Sequence, residues 1–437
     1  MLRQWIWRDF VNITLGIWLI ASALTFRYPE TTSFWSDIVG GAIIVSLGVL
    51  TLFPRFDLAR WGLCAAGIWL LFAPLVFWTR SAAVYSNDTL VGALVIAFSV
   101  LIPMMPSRAH HAVMMTPGPD IPPGWSYNPS DWIQRAPIIA MAFVGFFLSR
   151  YLAAYQLGHI PYPWDPFFGD GTRRVLDSDI SKAWPVSDAG LGAVSYMIEA
   201  LSGFMGGRNR WRTMPWMVVM FFMLVVPLGI VSIVLVMLQP IAVGAWCTLC
   251  LITAAAMLIM IVPAIDEVVA TGQFLLGARR EGKPLWQTFW VGGTLDSYQT
   301  QHTEPLSDDR RSIGSRIIAA MDFDNVPVNL LLSAALGIWM MAAPAALGST
   351  GRAADNNYLV GALVVTWAVI AFGEIVRPIR LLNILMGIWL VTSAFSFSGH
   401  TDLGRWNNAI VGALLIALSL PRGRIVERFG GWNRFLI

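Results

Sequence analysis

The chain of 437 residues is 56% hydrophobic and only 13% charged, and its mean hydropathy is +0.63. This composition excludes an ordinary soluble protein and predicts an integral membrane protein with many spans. The formal net charge of +3 comes with no basic patch beyond the arginines that follow the membrane topology, so nucleic-acid binding is not expected.

Apolar runs of about 17–25 residues with little or no charge are typical of transmembrane helices. Counted along the chain, they predict an all-α integral membrane protein with about twelve such helices. The approximate cores of the predicted helices are 10–26, 38–53, 61–78, 89–105, 137–155, 189–205, 214–238, 247–263, 328–346, 357–373, 381–397 and 408–420.

Eight of the predicted helices form four copies of one helical hairpin. The first helix of each copy contains Gly-Ile-Trp, and the second opens with Val-Gly after a polar pair that suits a helix N-cap. Small residues let membrane helices approach closely, so the glycines are predicted to pack rather than to bind a ligand. The glycines of the two motifs are Gly16 and Gly40, Gly67 and Gly92, Gly337 and Gly361, and Gly387 and Gly412. The polar pairs are Ser36-Asp37, Asn87-Asp88, Asn356-Asn357 and Asn407-Asn408.

These motifs and their spacing resemble the SPW-repeat family of bacterial membrane proteins. The resemblance implies a fold and a membrane setting, with no settled activity. Two repeats are predicted in residues 1–107 and two in residues 327–437. They either seal the middle of the chain in membrane lipid or assemble the protein into an oligomer through their glycine-rich faces.

Two linkers are predicted between the repeats and the middle of the chain. Residues 108–135 are rich in proline and glycine and are not expected to be helical. Residues 266–326 contain no apolar run long enough to span a membrane. Within this second linker, the aromatic segment 286–290 is able to lie flat at the membrane surface.

The distribution of basic residues predicts the topology. With twelve spans, 21 of the 29 Lys and Arg residues fall on the side that carries the termini. The positive-inside rule then places both termini in the cytoplasm and the protein in the inner (plasma) membrane. The turn at 239–246 therefore faces outward, and both linkers are cytoplasmic.

Two of the three cysteines, Cys247 and Cys250, form a CxxC motif at the head of an apolar helix. Thiols at this spacing can close a disulfide, and the positive end of the helix dipole favours a thiolate. The alternative is that both are small packing residues. Leu251 excludes a CxxCH haem attachment, and no metal site is expected because no second CxxC or paired histidine lies on that side. The third cysteine, Cys64, is predicted to be a packing residue.

Residues 136–265 differ from the repeats and contain four predicted helices with one long exterior loop at 156–187. The CxxC motif opens the last helix, and the second helix is entered by Val-Ser-Asp-Ala-Gly-Leu-Gly-Ala-Val-Ser-Tyr, which begins at Val186. Both features resemble the vitamin K epoxide reductase family, whose second helix typically begins Val/Ile-Pro-x-Ala-x-Leu-Gly-x-x-x-Tyr. Ser187 replaces the proline of this pattern. The matching residues are Ala189, Leu191, Gly192 and Tyr196.

The resemblance implies a four-helix bundle that couples a quinone to thiol oxidation or reduction. Family members commonly carry a second cysteine pair in the exterior loop, which relays electrons to a thioredoxin-like partner. The loop at 156–187 contains no cysteine, so an internal relay is excluded. Either a periplasmic thioredoxin-like dithiol protein meets Cys247 or Cys250 directly, or the domain has lost thiol oxidoreductase activity.

The resemblance also implies roles for individual residues. A quinone ring is expected close to Cys250, while Cys247 is expected to be the more exposed cysteine and to exchange with a partner thiol. Tyr196 either donates a hydrogen bond to a quinone oxygen or is an interfacial aromatic residue. Glu199 is either a proton carrier or a structurally paired acid. The predicted quinone-binding residues are Tyr196, Glu199, Ser181 and Trp246.

The sequence therefore predicts a membrane thiol:quinone oxidoreductase in which Cys247 and Cys250 are catalytic and no loop cysteines take part. The alternative is a non-catalytic membrane scaffold, or a module that binds a quinone or lipid, which retains the four-helix fold.

Overall fold

In the computed structural model, the described residues are 6–26, 28–56, 58–101, 117–299 and 327–436. In these ranges twelve helices have 15 residues or more, and no strand is found. We number these helices in chain order as α1 (Ile6–Thr25), α2 (Thr31–Thr51), α3 (Ala59–Val76), α4 (Ala82–Ile96), α5 (Trp132–Gln156), α6 (Asp188–Phe204), α7 (Pro215–Leu238), α8 (Thr248–Arg280), α9 (Val328–Leu347), α10 (Gly351–Ile370), α11 (Leu382–Ser396) and α12 (Asp402–Ser419).

Nine helices of the described chain are long and apolar enough to cross a membrane. The three that do not reach this standard are α1, α6 and α12. Helix α6 has only 17 residues, and α1 and α12 have Asp9 and Asp402 in their first turns. The prediction of an all-α integral membrane protein is confirmed, and the exact number of twelve spans stays a prediction.

Each hairpin of the repeat is closed by a contact between two glycines. The pairs are formed within α1–α2, α3–α4, α9–α10 and α11–α12, and a Cβ on either glycine would lie 2.6–2.9 Å from the carbonyl oxygen of the other. The predicted packing role is therefore seen in all four copies. In the first copy the contact residue is Gly41 and not Gly40, because Gly41 is the one that meets the backbone of Gly16.

These glycine faces are filled inside each hairpin. A backbone carbonyl already occupies the space in front of each glycine, so a second protein chain cannot use the same surface. An oligomer assembled through the repeat units would therefore need surfaces other than these glycine contacts.

The tryptophan of each Gly-Ile-Trp joins its hairpin to the neighbouring one. Its indole N–H donates a hydrogen bond to the first residue of the polar pair in the other hairpin, so the contact is reciprocal. We name α1–α4 the N-terminal repeat unit and α9–α12 the C-terminal repeat unit. The bonds are Trp18 to Asn87 (2.8 Å), Trp69 to Ser36 (3.1 Å), Trp339 to Asn407 (2.8 Å) and Trp389 to Asn356 (2.7 Å).

The polar pairs are not helix N-caps, which corrects the prediction. The helices α2, α4, α10 and α12 begin five residues before the pairs, so the pairs lie in the second turn. The side chains that do cap helices here are Ser81 for α4 and Thr401 for α12. The second residues of the pairs meet across the C-terminal unit, where Asn357 and Asn408 exchange two hydrogen bonds of 3.2 and 2.7 Å.

Helices α5 to α8 form a bundle between the two repeat units. Helix α5 packs against α6 and α8, and α7 packs along α8, whereas α6 and α7 make little contact. The N-terminal unit joins the core of the bundle through Leu71, Leu75 and Tyr85, and the C-terminal unit joins it through Ile370.

Helix α8 extends far beyond its predicted core, which ended near residue 263. It runs through Pro263 to Arg280, and the added turns bury Phe274 and Ala278 in a cluster with Trp211. The predicted second linker therefore begins as a helix. Residues 300–326 of that linker, and residues 108–116 of the first, lie outside the described residues.

The aromatic segment of the second linker is attached to the bundle. It forms the short helix Leu285–Val291, and Trp290 stacks on Trp216 of α7 with ring centroids 6.1 Å apart. This contact holds the segment beside the end of α7.

A buried ion pair connects α8 to the turn before α7. Arg210 donates two hydrogen bonds, of 2.5 and 2.6 Å, to the carboxylate of Glu267, and Ser130 of the first linker donates a third. Arg135 of α5 donates to the carbonyl groups of Gly203 and of the two residues that follow α6. These contacts join the ends of three bundle helices and the first linker.

The segment after α12 folds back onto the same face of the bundle. Trp125 and Phe429 form an antiparallel bridge. Gln273 of α8 binds both partners, since it accepts from the Trp125 indole and donates to the Phe429 carbonyl, each at 2.9 Å. The first linker, α8 and the C-terminal segment are thus joined.

We expect Gly412→Ala to destabilise the protein by about 1–3 kcal/mol, because the new Cβ would press on the carbonyl oxygen of Gly387. The thermal unfolding midpoint of the protein in detergent measures this change. Gly272→Ala is the matched control, because an added Cβ inside α8 meets nothing within 4 Å there. This control should be neutral or stabilising by up to about 1 kcal/mol. Equal midpoints for the two variants would contradict the packing role of Gly412.

Candidate functional site

The CxxC motif lies where the sequence predicts it, at the start of α8, and its cysteines form a disulfide. Cys247 is the N-cap residue, and its sulfur accepts a hydrogen bond from the backbone N–H of Cys250 at 3.1 Å. The backbone N–H of Cys247 donates to the side-chain oxygen of Gln239 at 2.9 Å. The hydrogen bond between Gln239 and Cys247 therefore joins the two ends of the turn that precedes the motif.

The expectation that Cys247 is the more exposed cysteine is wrong. Cys247 is 0% exposed, whereas Cys250 is half-buried. The reason is that the exterior loop folds over the motif, so that Cys247 packs in a cluster with Leu152, Leu176 and Leu249. A partner protein cannot touch Cys247 unless this loop moves.

Asp165 holds the exterior loop on the first turn of α8. Its Oδ1 atom accepts from the Thr248 hydroxyl at 2.6 Å, and its Oδ2 atom accepts from the Thr248 backbone N–H at 3.3 Å. The same carboxylate accepts from the hydroxyl of Thr172 at 2.6 Å and from the backbone N–H groups of Phe167 and Phe168. One side chain thus connects two parts of the loop to the residue between the cysteines.

Asp165 is ionised despite its partial burial. Burial would raise the pKa of this carboxyl, but the hydrogen bonds from Thr172, Thr248 and the loop backbone outweigh it and hold the pKa well below its ordinary value. Its negative charge lies at the N-terminus of α8, where the dipole would otherwise favour a thiolate. The charge therefore opposes ionisation of the nearby thiol.

Sequence reasoning missed Asp165. The available local signal is the Asp-Pro step at 165–166, which is typical of a turn. Nothing in the sequence connects this turn to Thr248, which is 83 residues away.

Trp246 connects the loop to the C-terminal repeat unit. Its backbone carbonyl lies against Gly171, where a side chain would collide with it. Its indole ring lies between Phe168 of the loop, at 6.4 Å, and Tyr358 of α10, at 5.7 Å. Trp246 therefore packs beside the motif and does not line the cavity described next.

A cavity of about 130 Å³ lies among α5, α6, α7, α8 and the exterior loop. It reaches Cys250 but not Cys247, and it is mainly apolar with several hydroxyl groups. The structure thus brings together Cys250, Tyr196 and Ser181 of the predicted residues, and leaves Cys247, Glu199 and Trp246 out of the lining. Its other lining residues include Ser149, Leu152, Asp188, Ser232, Val236, Gln239 and Thr253.

Tyr196 already uses its hydroxyl proton. The hydroxyl donates a hydrogen bond of 2.7 Å to the backbone carbonyl of Thr253 in α8. Its ring packs on Gly145 of α5, where no side chain would fit. The tyrosine is therefore buried and fixed at the wall of the cavity, and only its oxygen lone pairs remain free in this arrangement.

Ser181 belongs to a polar network at the mouth of the cavity. Its hydroxyl donates to Asp188 at 2.9 Å, and Gln156 donates to both Asp188 and Ser181 at 2.6 and 2.8 Å. Ser187, which stands where the family pattern has proline, is the N-cap of α6 and accepts from the Gly190 N–H at 2.8 Å. The substitution at Ser187 thus supplies a different start for the same helix.

Glu199 lies one turn further along α6 than Tyr196. It is 0% exposed, and neither carboxyl oxygen has a hydrogen-bond partner. The alternative reading as a structurally paired acid finds no partner among the described residues. Within those residues, no group of three or more His, Cys, Asp or Glu is arranged to hold a metal ion. Cys64 is buried in the core between the N-terminal unit and the bundle.

Comparison with known families gives the same division of the chain. Residues 136–265 match the vitamin K epoxide reductase family, and residues 6–102 and 328–421 match the SPW repeat domain. No curated protein and no solved structure matches the chain. The two resemblances read from the sequence motifs are therefore confirmed.

We expect Asp165→Asn to lower the pKa of the Cys247 thiol by about half a unit, because charges at a helix N-terminus contribute about 0.3–1 kcal/mol. Asparagine keeps one oxygen for the hydrogen bonds that Oδ1 accepts, removes the negative charge, and gives up the bonds that Oδ2 accepts from Thr172 and Thr248. The measurement is the pH dependence of Cys247 alkylation in a Cys64→Ser, Cys250→Ser background.

Asp170→Asn is the control for this experiment, because Asp170 lies in the same loop and makes no side-chain cap bond. An alkylation curve that moves equally in both variants, or in neither, would rule out a specific effect of Asp165.

Proposed function

We propose that this chain, which carries a vitamin K epoxide reductase family domain between two SPW repeat domains, is a membrane thiol:quinone oxidoreductase that uses the single pair Cys247 and Cys250. The observation that carries the proposal is that Cys250 opens onto a cavity inside the four-helix bundle while its disulfide partner faces away from it. Cys250 is thus accessible to an acceptor in the bundle, whereas Cys247 becomes accessible to a thiol on the outer side only when the exterior loop lifts.

The cavity suits the head group of a quinone. Apolar walls from Leu152 and Val236 match a ring, and the hydroxyl group of Ser149 provides a polar contact for a ring oxygen. The Ser181 hydroxyl would have to release Asp188 to make a second such contact. Helices α6 and α7 contact each other little, and we propose that an apolar tail would pass between them. A bound quinone would supply a two-electron acceptor.

The chemistry balances without loop cysteines. Oxidation of the dithiol of Cys247 and Cys250 to the disulfide forms one S–S bond and releases two electrons and two protons, and a quinone that takes up both becomes a quinol. To orient a ring oxygen beside Cys250, the Tyr196 hydroxyl would have to exchange its hydrogen bond to the Thr253 carbonyl for one to that oxygen. Glu199 is an unpaired carboxyl in the membrane interior, where the neutral form is favoured, so it can hold a proton near this step.

Regeneration of the dithiol requires a partner. We propose a thioredoxin-like dithiol protein on the outer side of the membrane, and the sequence assigns no cysteine of the loop to relay its electrons. Cys247 is covered, so the loop must lift from Thr248 before the partner sulfur can attack. Asp165 is the contact that has to break.

The topology belongs to the same proposal. Both termini and the linkers lie in the cytoplasm, the CxxC end of α8 faces the periplasm, and the membrane is the inner (plasma) membrane. The proposed domains are 1–107, 108–135, 136–265, 266–326 and 327–437, with α8 crossing the boundary at 265.

The second candidate is a non-catalytic scaffold, or a module that binds a quinone or lipid. The specific observation in its favour is the complete burial of Cys247 beneath an exterior loop that contains no cysteine. In this case the disulfide would be a permanent structural link at the start of α8.

The redox state of Cys247 and Cys250 in native membranes separates the two candidates. Thiols are trapped with a mass-tagging maleimide in a Cys64→Ser background, with and without quinone depletion. An oxidoreductase should accumulate the dithiol when quinone is removed, because its electron acceptor is missing. A pair whose redox state is the same in both conditions would refute the proposal and favour the scaffold.

We expect Glu199→Gln to slow reoxidation of the reduced pair by a soluble quinone analogue by about 10²-fold, the lower range for loss of a proton-transfer group. Glutamine has the shape of the neutral acid, so folding should be preserved. The rate is followed in stopped-flow by quinone absorbance. The control is Glu281→Gln, which changes an acid outside the bundle. An unchanged rate in Glu199→Gln would remove this residue from the mechanism.

A further inference from the structure

Three buried polar side chains follow one another where α11 begins. Arg377 and Arg380 lie in the 3₁₀ helix Glu374–Leu381, and Asn383 lies in the first turn of α11. Residues three apart share one side of a 3₁₀ helix, which aligns Arg377 with Arg380. They are 3%, 9% and 0% exposed, so Arg380 is the most accessible of the three.

These side chains have hydrogen-bond donors without acceptors. Nε and Nη1 of Arg377, Nε of Arg380 and Nδ2 of Asn383 are buried and make no hydrogen bond. The remaining contacts are weak for charged groups, since Arg377 donates only to the Phe372 carbonyl and Arg380 only to the Arg377 carbonyl, each at 3.2 Å. Buried charges are costly unless they are paired.

No acidic side chain of the described residues compensates for the two arginines within ion-pair distance. The nearest acid along the chain is Glu374, which does act on Arg377 over a longer range. However, its carboxylate accepts from the backbone N–H groups of Val426 and Glu427 at 3.1 and 2.9 Å. The carboxylate keeps its charge, but two arginines outnumber this one acid, so the local charge is positive.

The N-terminal repeat unit differs in having an acid beside the corresponding arginine, although Nε of Arg60 makes no hydrogen bond there either. Arg60 precedes Gly67 by seven residues, as Arg380 precedes Gly387. Arg60 lies 3.9 Å from the carboxylate of Asp9, which precedes Gly16 by seven residues.

The corresponding position of the C-terminal repeat unit, seven residues before Gly337, is Leu330, and this residue is buried. The C-terminal unit thus keeps the arginine but has lost the acid that pairs with it.

We propose that Arg377, Arg380 and Asn383 bind the phosphate group of an anionic phospholipid, which takes the place of the missing carboxylate. Guanidinium groups bind phosphate oxygens in a fork geometry, and an amide N–H adds a further donor. The three residues lie at the start of α11, and the ends of membrane-spanning helices are where lipid head groups meet a membrane protein. The shared chemistry is a phosphate oxygen, whether it belongs to a lipid or to free phosphate.

The test is the thermal unfolding midpoint and native mass spectrum of the full-length protein in detergent, titrated with phosphatidylglycerol, phosphatidylcholine or inorganic phosphate. We expect phosphatidylglycerol to bind and to raise the midpoint, and Arg380→Gln to weaken its binding about tenfold, the equivalent of one charge-assisted hydrogen bond. Stabilisation by inorganic phosphate to the same extent would assign the site to a free anion.

Leu330→Asp is the decisive variant, because it restores the carboxylate that Asp9 provides in the N-terminal unit. It should fold at least as well as the unsubstituted protein and lose the effect of phosphatidylglycerol. Arg279→Gln, which removes an exposed charge at the end of α8, is the control for general attraction and should keep the effect. An unchanged lipid effect in both Arg380→Gln and Leu330→Asp, or an equal loss in Arg279→Gln, would overturn the proposal.

Discussion

The ion pair between Arg210 and Glu267 is the contact on which the geometry of the bundle depends. A buried ion pair is stable only when both partners and their remaining polar atoms are satisfied, and loss of one partner costs about 3–5 kcal/mol. Here the Ser130 hydroxyl donates a further hydrogen bond to Glu267. Arg210 also donates to backbone carbonyl groups at the C-terminal end of α6. Because α8 is continuous from Thr248 to Arg280, fixing Glu267 also fixes the rotation of the turn that presents Cys250 at the other end.

Much of the architecture follows from patterns that are local in the sequence. The hairpins could be predicted because Gly-Ile-Trp recurs with a glycine about 25 residues later, and close helix contact in a membrane needs small residues. The position of the CxxC motif could be predicted because it immediately precedes an uncharged run. Cys250, Tyr196 and Ser181 meet at one cavity because the four helices of the bundle bring their outer ends together.

The features that the sequence does not predict depend on contacts between residues that are distant along the chain. The burial of Cys247 results from a loop whose docking is determined by Asp165 and Thr248, and neither residue is marked by its neighbours. The polar pairs resemble caps in isolation, but Asn87 is bound by an indole from another hairpin 69 residues away. The predicted core of this helix ended near residue 263, yet packing around Phe274 provides enough contact to continue α8 past Pro263.

The bridge between Trp125 and Phe429 has a consequence for the order in which the protein is made. The contacts around it, such as that between the Arg428 N–H and the Ser126 hydroxyl at 2.8 Å, join residues separated by 302 positions. During synthesis, the first linker is made and the bundle helices are inserted long before the segment that contains Phe429 leaves the ribosome. One face of the bundle must therefore stay open until translation of the C-terminal repeats has ended. A stalled chain therefore differs from a finished one in the exposure of this surface.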